Sequence, residues 1–380
     1  MKKHRYAINS IFFINGFVFA NWAARIPLIQ EMFSITHKEL GFVLLSASLG
    51  ALLAMPFTGW LITKQGSRRI TQTAAILYLI IVPFLPLMPI YQVLMGFFFL
   101  MGMFTGTLDV AMNAQAVIVE QLYRRPIMSF FHALFSAGMM IGAGAGALFS
   151  YLDFSLFAHF ATVVGLALAL LLPQLRHFVA DPPSEGEEDN TFFRLPKASL
   201  IGIGLIAFCC MLGEGAMSDW SSNYMTRIVR TAKSTAPIAL FAFSLAMMIG
   251  RFVGDRARTE LGDNKLLLLG GGLSILGIST IIFSPFLVLT IAGFFLVGLG
   301  LSTIVPIAYS QAGSTPGLAP GVGIGMVTTI GYAGFLFGPP VIGFVADAYD
   351  LRIAFLFILG LFGLMTVLVL RQLSTQKKPD

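Results

Sequence analysis

The sequence predicts an all-α membrane protein: twelve transmembrane helices in two pseudo-symmetric six-helix bundles. Three observations predict it. The 380 residues are 57% hydrophobic and 11% charged, with a mean hydropathy of +0.84, whereas about a quarter of residues are charged in a soluble domain. Runs such as 266–283 and 354–370 are apolar on every side and long enough to cross a bilayer as helices; barrel strands would instead alternate at every second residue. A single long polar break, Arg176 to Lys197, separates two sets of six runs.

In chain order, Met1-Lys2-Lys3-His4-Arg5 resembles the head of a secretory signal peptide. The apolar character nevertheless continues through Trp22 to Ile29, so the first span is drawn at 6–30. The next five are 40–63, 71–88, 91–119, 127–150 and 156–175; after the break come 198–224, 236–254, 265–283, 286–311, 321–345 and 353–371. This gives an N-terminal half, 1–175, a linker, 176–197, and a C-terminal half, 198–380. The linker holds Asp181-Pro182-Pro183-Ser184-Glu185-Gly186-Glu187-Glu188-Asp189-Asn190, acidic and without a helical apolar period, which predicts a flexible connection. Most of the 24 Lys and Arg residues fall on the side of the termini and linker. Lys38, Arg227, Arg230, Lys233 and Arg352 lie on the other, and Arg25 lies within a span. The bias predicts cytoplasmic termini in a bacterial inner (plasma) membrane.

Several classes are excluded. The net charge of +6 is spread over short inter-span clusters, which read as topology signals and not as a nucleic-acid surface. Cys209 and Cys210 are adjacent within a span, which fits neither an ordinary disulfide framework nor a four-ligand metal site. Gly321-Val322-Gly323-Ile324-Gly325 has no strand before it and no Lys-Ser/Thr after it, so it is not a nucleotide loop. No cofactor or metal is expected. The expected partners are the lipid bilayer, a small-molecule solute and the proton, and the chain is taken as a monomer.

Charges inside spans cost about 2.5–3.5 kcal/mol at the centre of the bilayer and therefore mark function or specific packing. Span 7 carries Glu214 and Asp219 within Gly213-Glu214-Gly215-Ala216-Met217-Ser218-Asp219-Trp220-Ser221-Ser222-Asn223-Tyr224. Span 1 echoes it with Asn21-Trp22-Ala23-Ala24-Arg25-Ile26-Pro27. At 1.5 Å per residue, Arg25 and Asp219 both lie roughly 10–12 Å to the outer side of mid-membrane. They are expected as a gate pair or solute clamp, together with Asn21, Trp22, Trp220 and Asn223. The competing reading is that Arg25 reaches the outer headgroups. Glu214 sits five residues from Asp219, about 140° around the helix, and so faces elsewhere. It is read as a proton carrier or as a structural, protonated acid.

Span 4 holds Thr105-Gly106-Thr107-Leu108-Asp109-Val110-Ala111-Met112-Asn113-Ala114-Gln115, with Asp109 and Asn113 one turn apart on a polar stripe that Glu120 continues. Span 5 places Ser129, His132 and Ser136 on one face. Asp109 and His132 fall at similar depth on consecutive helices, an arrangement suited to a proton relay; a neutral, structural His132 is the alternative. Asn113 is expected to contact solute. Gly138, Gly142, Gly144 and Gly146 let neighbouring helices approach span 5 closely.

The halves also repeat at a period of about 190 residues. The loop after span 2 reads Gly59-Trp60-Leu61-Ile62-Thr63-Lys64-Gln65-Gly66-Ser67-Arg68-Arg69, and that after span 8 reads Gly250-Arg251-Phe252-Val253-Gly254-Asp255-Arg256. These loops, the span count and the linker position resemble the major facilitator superfamily over essentially the whole chain. Trp22 with Arg25-Ile26-Pro27, Asp109-Val110-Ala111-Met112-Asn113 and Ser129-Phe130-Phe131-His132 look like its fucose permease-like branch, and most closely the YbjJ type of bacterial inner-membrane protein. The resemblance implies a major facilitator fold and an inner gate at Arg68, Arg69, Asp255 and Arg256, with Thr63 in place of the usual acid of the first loop. It also implies a secondary transporter, not an enzyme, moving a small polar solute, anionic or sugar-like, with proton coupling through Asp109, His132 and Glu214. Arg25 favours the anion. Export of hydrophobic compounds on the same architecture is the main competitor. Span 5 lacks the Gly-Pro pair usual in drug-exporting antiporters, since Gly142 precedes Ala143, whereas span 11 has Gly338-Pro339-Pro340. A non-transporting receptor of the same fold, or an intramembrane hydrolase using Ser129 or Ser136 beside His132, are lesser alternatives.

Overall fold

Length and all-round apolarity dictate helices, and the computed structural model, which describes residues 2–124, 127–181, 198–284, 286–313, 315 and 320–376, contains helices without strands among those residues. They are α1 (Lys2–Ala23), α2 (Ile26–Met32), α3 (His37–Gln65), α4 (Ser67–Ile81), α5 (Tyr91–Tyr123), α6 (Met128–Tyr151), α7 (Leu156–Leu171), α8 (Ala198–Arg227), α9 (Ile238–Leu261), α10 (Asp263–Phe283), α11 (Leu287–Leu301), α12 (Ile304–Gly313), α13 (Pro320–Ala348) and α14 (Leu351–Gln376). Short 3-10 turns, Val82–Leu87 and Leu172–His177, lengthen α4 and α7. Residues 182–197 of the linker lie outside the described residues, as do Arg125, Lys377 and Lys378.

Each expected span is helical. Ten helices or helix runs are long and apolar enough to cross a membrane, and the pair α1 and α2, bent by 45°, forms an eleventh. The bend falls where Pro27, near the start of α2, cannot donate to the preceding turn. The apolar part of α9, Ile238–Gly254, is shorter, but α9 packs along α6 and α11 and completes a set of twelve. Large apolar side chains such as Leu148, Leu166, Phe283 and Val288 are exposed on the outside of the bundle, as hydrocarbon surroundings allow.

Helices α1–α7 pack among themselves, chiefly α3 on α5 and α1 on α6; α8–α14 do the same through α8 on α13 and α10 on α11. The span 5 glycines serve two of these contacts. A Cβ on Gly138 would lie 2.1 Å from the Phe13 carbonyl oxygen of α1, whereas one on Gly144 would meet Phe241 of α9 at 3.5 Å. The two sets join along α3–α13 and α6–α9, and where α2 lies on α8.

At the end of the bundle carrying the termini, the chain leaving α7 doubles back as a cap. Gln115 pairs with Val179 through both its amide oxygen and its amide nitrogen, each at 2.9 Å. Asp181 then accepts from the Ser67 N–H at 2.6 Å, the Ser67 hydroxyl at 2.7 Å and the Arg68 N–H at 3.1 Å. These are orphan donors of the first turn of α4. Partial burial pushes the Asp181 carboxyl up, but the hydrogen bonds from Ser67 and Arg68 outweigh it and hold it below the ordinary aspartate range. Because the folded value is depressed, the stabilisation is present above the unfolded value and lost as pH falls through the folded one. Asp181→Ala is expected to cost about 1 kcal/mol at neutral pH. In thermal unfolding, the gap to the parent should close in acid, below the ordinary aspartate range.

Candidate functional site

A cavity of about 600 Å³ lies between the two sets of helices. Its deep end is lined by Phe19 and Trp22 of α1, Leu44 of α3, and Ser218 and Asp219 of α8; towards the terminal end it reaches Met128 of α6, and Gly254 and Arg258 of α9. At the opposite end the sets are closed on each other. There Gly41 of α3 meets Pro339 and Gly343 of α13, Phe42 packs edge-on against Phe344 at 5.4 Å, and the Lys38 ammonium lies over the Phe344 ring. His37 lies 6.0 Å from Trp220 between ring centres, and Lys233 forms an ion pair with Glu31.

Asp109, His132, Glu214, Asp219 and Trp22, all expected at the site, line the cavity. Asp109 Oδ2 accepts from the Tyr332 hydroxyl of α13 at 2.8 Å, a hydrogen bond joining the two sets of helices. Asn113 donates to the Asp109 carbonyl at 2.8 Å and to Oδ1 at 3.3 Å, so it supports the acid along its own helix and is not among the lining residues. His132 stands edge-on to Phe12 at 5.3 Å and makes no hydrogen bond to Asp109 among the described residues. Glu214 faces Arg251 of α9 at 3.4 Å. The Arg251 guanidinium also donates to the Ser136 hydroxyl at 2.7 Å and reaches the His132 carbonyl at 3.5 Å, which makes it a second link between the sets. The Ser129 side chain lies outside the described residues.

The expected Arg25–Asp219 pair does not form. Arg25 falls at the break between α1 and α2, which turns its side chain towards the loop before α7; it is 4% exposed, donates to the Phe154 carbonyl at 3.0 Å and does not line the cavity. Asn21 turns the same way, its amide oxygen 2.8 Å from His159 Nε2 and its nitrogen donating to the Phe17 carbonyl. Both residues therefore tie α1 to the α7 region. Trp220 and Asn223 are fully buried in the closed end. Neither polar atom of Asn223 has a partner among the described residues. The expected inner gate is likewise not joined across the sets among the described residues. Arg68 reaches the Arg176 carbonyl at 3.5 Å, Arg69 is exposed, and Arg256 pairs with Glu260 one turn along α9. The Asp255 side chain lies outside the described residues. The cavity separates the sets at that end, so these loops stand apart. Glu120 leaves the polar stripe and accepts from the Ile127 and Met128 N–H groups at 2.7 and 2.8 Å, capping α6.

Sequence reasoning missed Arg251, Tyr332, Tyr309 and Asn15 as lining residues. Arg251 sits one residue past Gly250 in a loop-like pattern and reads as a topology charge; only its burial between α6 and α8 distinguishes it. The rest of the wall is dominated by methionine and aromatic side chains, among them Met101, Met112, Met139 and Met211 with Phe135 and Phe335. Among the described residues, no group of three or more His, Cys, Asp or Glu could hold a metal ion.

Twelve spans in two packed sets around a central cavity define a recognisable architecture, and the sequence matches the Major Facilitator Superfamily profile over residues 8–314 and 203–380. The chain belongs to the major facilitator superfamily. Within that superfamily it is 38% identical over 346 residues to an MFS-type transporter of Yersinia pestis, covering 90% of this chain and 89% of the relative. It is 34% identical over 349 residues to the membrane protein MosC of Rhizobium meliloti, covering 92% and 85%. Among solved facilitator structures, the nucleoside transporter NupG superposes with a TM-score of 0.75 at 12% identity, covering 96% of this chain and 99% of that one. A bacterial homologue of the human lysosomal transporter Spinster superposes with a TM-score of 0.74 at 14% identity, covering 98% and 96%. This facilitator is an integral multi-pass membrane transporter of a small-molecule solute, not an enzyme.

Proposed function

We propose that the protein is a proton-coupled secondary transporter of the fucose permease-like branch, working by alternating access in a bacterial inner membrane with both termini and the 176–197 linker in the cytoplasm. The carrying observation is a 600 Å³ cavity between the two six-helix halves, closed at the end opposite the termini by α3, α13, α2 and α8. With the termini inside, this is the state open to the cytoplasm. Transport then requires the outer contacts to part and the inner loops, with Arg68, Arg69, Asp255 and Arg256, to close.

Asp109 supports the coupling. Its carboxylate accepts the Tyr332 hydroxyl from the other half, so a proton at Oδ2 turns that oxygen into a donor and a weaker acceptor, which loosens a link between the halves. Protonation at this atom thereby bears on the contact between the halves. His132 and Glu214 share the cavity and are further proton-carrying groups in this reading. In proteoliposomes, Asp109→Asn is expected to abolish uphill transport driven by a pH gradient while sparing solute exchange. Full uphill transport by that variant would remove Asp109 from the coupling. Export of hydrophobic compounds is a second reading, favoured by the methionine and aromatic wall.

A further inference from the structure

The partners already made inside the cavity bear on the charge of the solute, given the reading that this cavity is the transport site. Two of its three carboxylates are matched. Asp109 takes the Tyr332 hydroxyl and the Asn113 amide, and Glu214 takes the Arg251 guanidinium. Of the two cavity guanidinium groups, Arg258 is held by Asp263 through hydrogen bonds of 2.6 and 3.0 Å, and Arg251 is held by Glu214 and Ser136. Asp219 alone among these acids has neither a hydrogen bond nor an ion pair among the described residues, although it lines the cavity on the same helix as Ser218. The case for an anionic solute rested on Arg25, which is buried away from the cavity.

We propose that the cavity takes a small amphipathic organic cation, a protonated amine with an aliphatic or aromatic body, whose cationic group sits on Asp219. A carboxylate in a largely apolar wall is costly unless a counter-charge completes it. With Arg251 and Arg258 both held by other acids, a cationic solute would supply that counter-charge. Trp22 lines the same deep part of the cavity, which places an aromatic ring near Asp219's end of it. The methionines, unbranched and polarisable, adapt to bodies of different shape. A carboxylate-bearing solute would instead meet three acids and would have to displace Glu214 from Arg251.

The test uses three probes with one body and different heads: 4-phenylbutylammonium, 4-phenylbutanol and 4-phenylbutyrate. Binding to the purified full chain is read at neutral pH by quenching of tryptophan fluorescence, with Trp22→Phe locating the signal. The ammonium is expected to bind about tenfold or more tightly than the alcohol, and the butyrate most weakly. Asp219→Asn should remove the preference for the ammonium while leaving the alcohol's affinity unchanged, which also shows that the variant is folded; Asp219→Glu should retain part of it. Equal binding of ammonium and alcohol, tighter binding of butyrate, or an Asp219→Asn variant that keeps the preference would overturn the cation assignment and leave the cavity as the transport site. Failure of all three probes to bind would overturn the reading of the cavity itself, and the assignment with it.

Discussion

Arg251→Leu is expected to destabilise the protein by about 3 kcal/mol, and Glu214→Leu added to it should restore part of that loss. The Arg251 and Glu214 side chains are 13% and 17% exposed, so each is largely withdrawn from water and each is the other's counter-charge. Removing one partner of a buried pair leaves an uncompensated charge, typically at about 3–5 kcal/mol; the separation of 3.4 Å and the open cavity beside the pair put this one at the lower end. The hydrogen bond to Ser136 makes the effect more than local, since the same guanidinium joins α9 to α6. Thermal unfolding in detergent of the two single variants and the double variant is the measurement. An Arg251→Leu variant as stable as the parent would mean that the link between halves does not depend on this residue. A double variant no better than the single would locate the cost in the lost Ser136 contact and not in the unpaired acid.

The sequence made the spans legible because hydrocarbon surroundings impose one rule on every residue of a span. The twelve runs, the span 5 glycines and the cavity positions of Asp109, His132 and Asp219 could be placed from period and depth, whereas Glu214, read as facing away from Asp219, lines the same cavity because the cavity is wide enough to take both faces of α8. Depth along a helix axis fixes height but not which neighbour a side chain meets. The sequence puts Arg25 and Asp219 at comparable height, yet Arg25, at the break before Pro27, turns to Phe154, and no local pattern specifies that turn. Arg251 failed for the opposite reason. It belongs to a Gly and Arg pattern shared with true loops, and its role depends on α6 and α8 closing around it. Tyr332 is similarly silent in sequence, because a tyrosine among glycines and alanines announces no partner 223 residues away. The Asp181 cap lies at the start of an acidic run, where composition suggests only a tether.

Gly41→Leu is expected to bias the transporter towards the state open at the end opposite the termini and to suppress turnover. Two of the links that close that end differ in magnitude. The Glu31–Lys233 ion pair has side chains 40% and 52% exposed, and such pairs contribute about 0–1 kcal/mol. The α3–α13 contact is backbone against backbone: a Cβ on Gly41 would lie 2.8 Å from the Pro339 carbonyl oxygen and 3.3 Å from the Gly343 Cα. Neither atom belongs to a flexible side chain, so a larger residue must push the helices apart, at about 1–3 kcal/mol for overpacking. That cost falls on the closed state alone, which shifts the equilibrium roughly 5- to 150-fold towards opening. Cys209 and Cys210 are buried, so a Ser218→Cys reporter in the cavity gives a readable signal. A membrane-impermeant maleimide added from the side opposite the termini should label it faster in the Gly41→Leu background. Glu31→Gln should change the rate little. Equal labelling with glycine and leucine at position 41 would mean that this packing does not hold the end shut, and a large effect of Glu31→Gln would assign the seal to the ion pair.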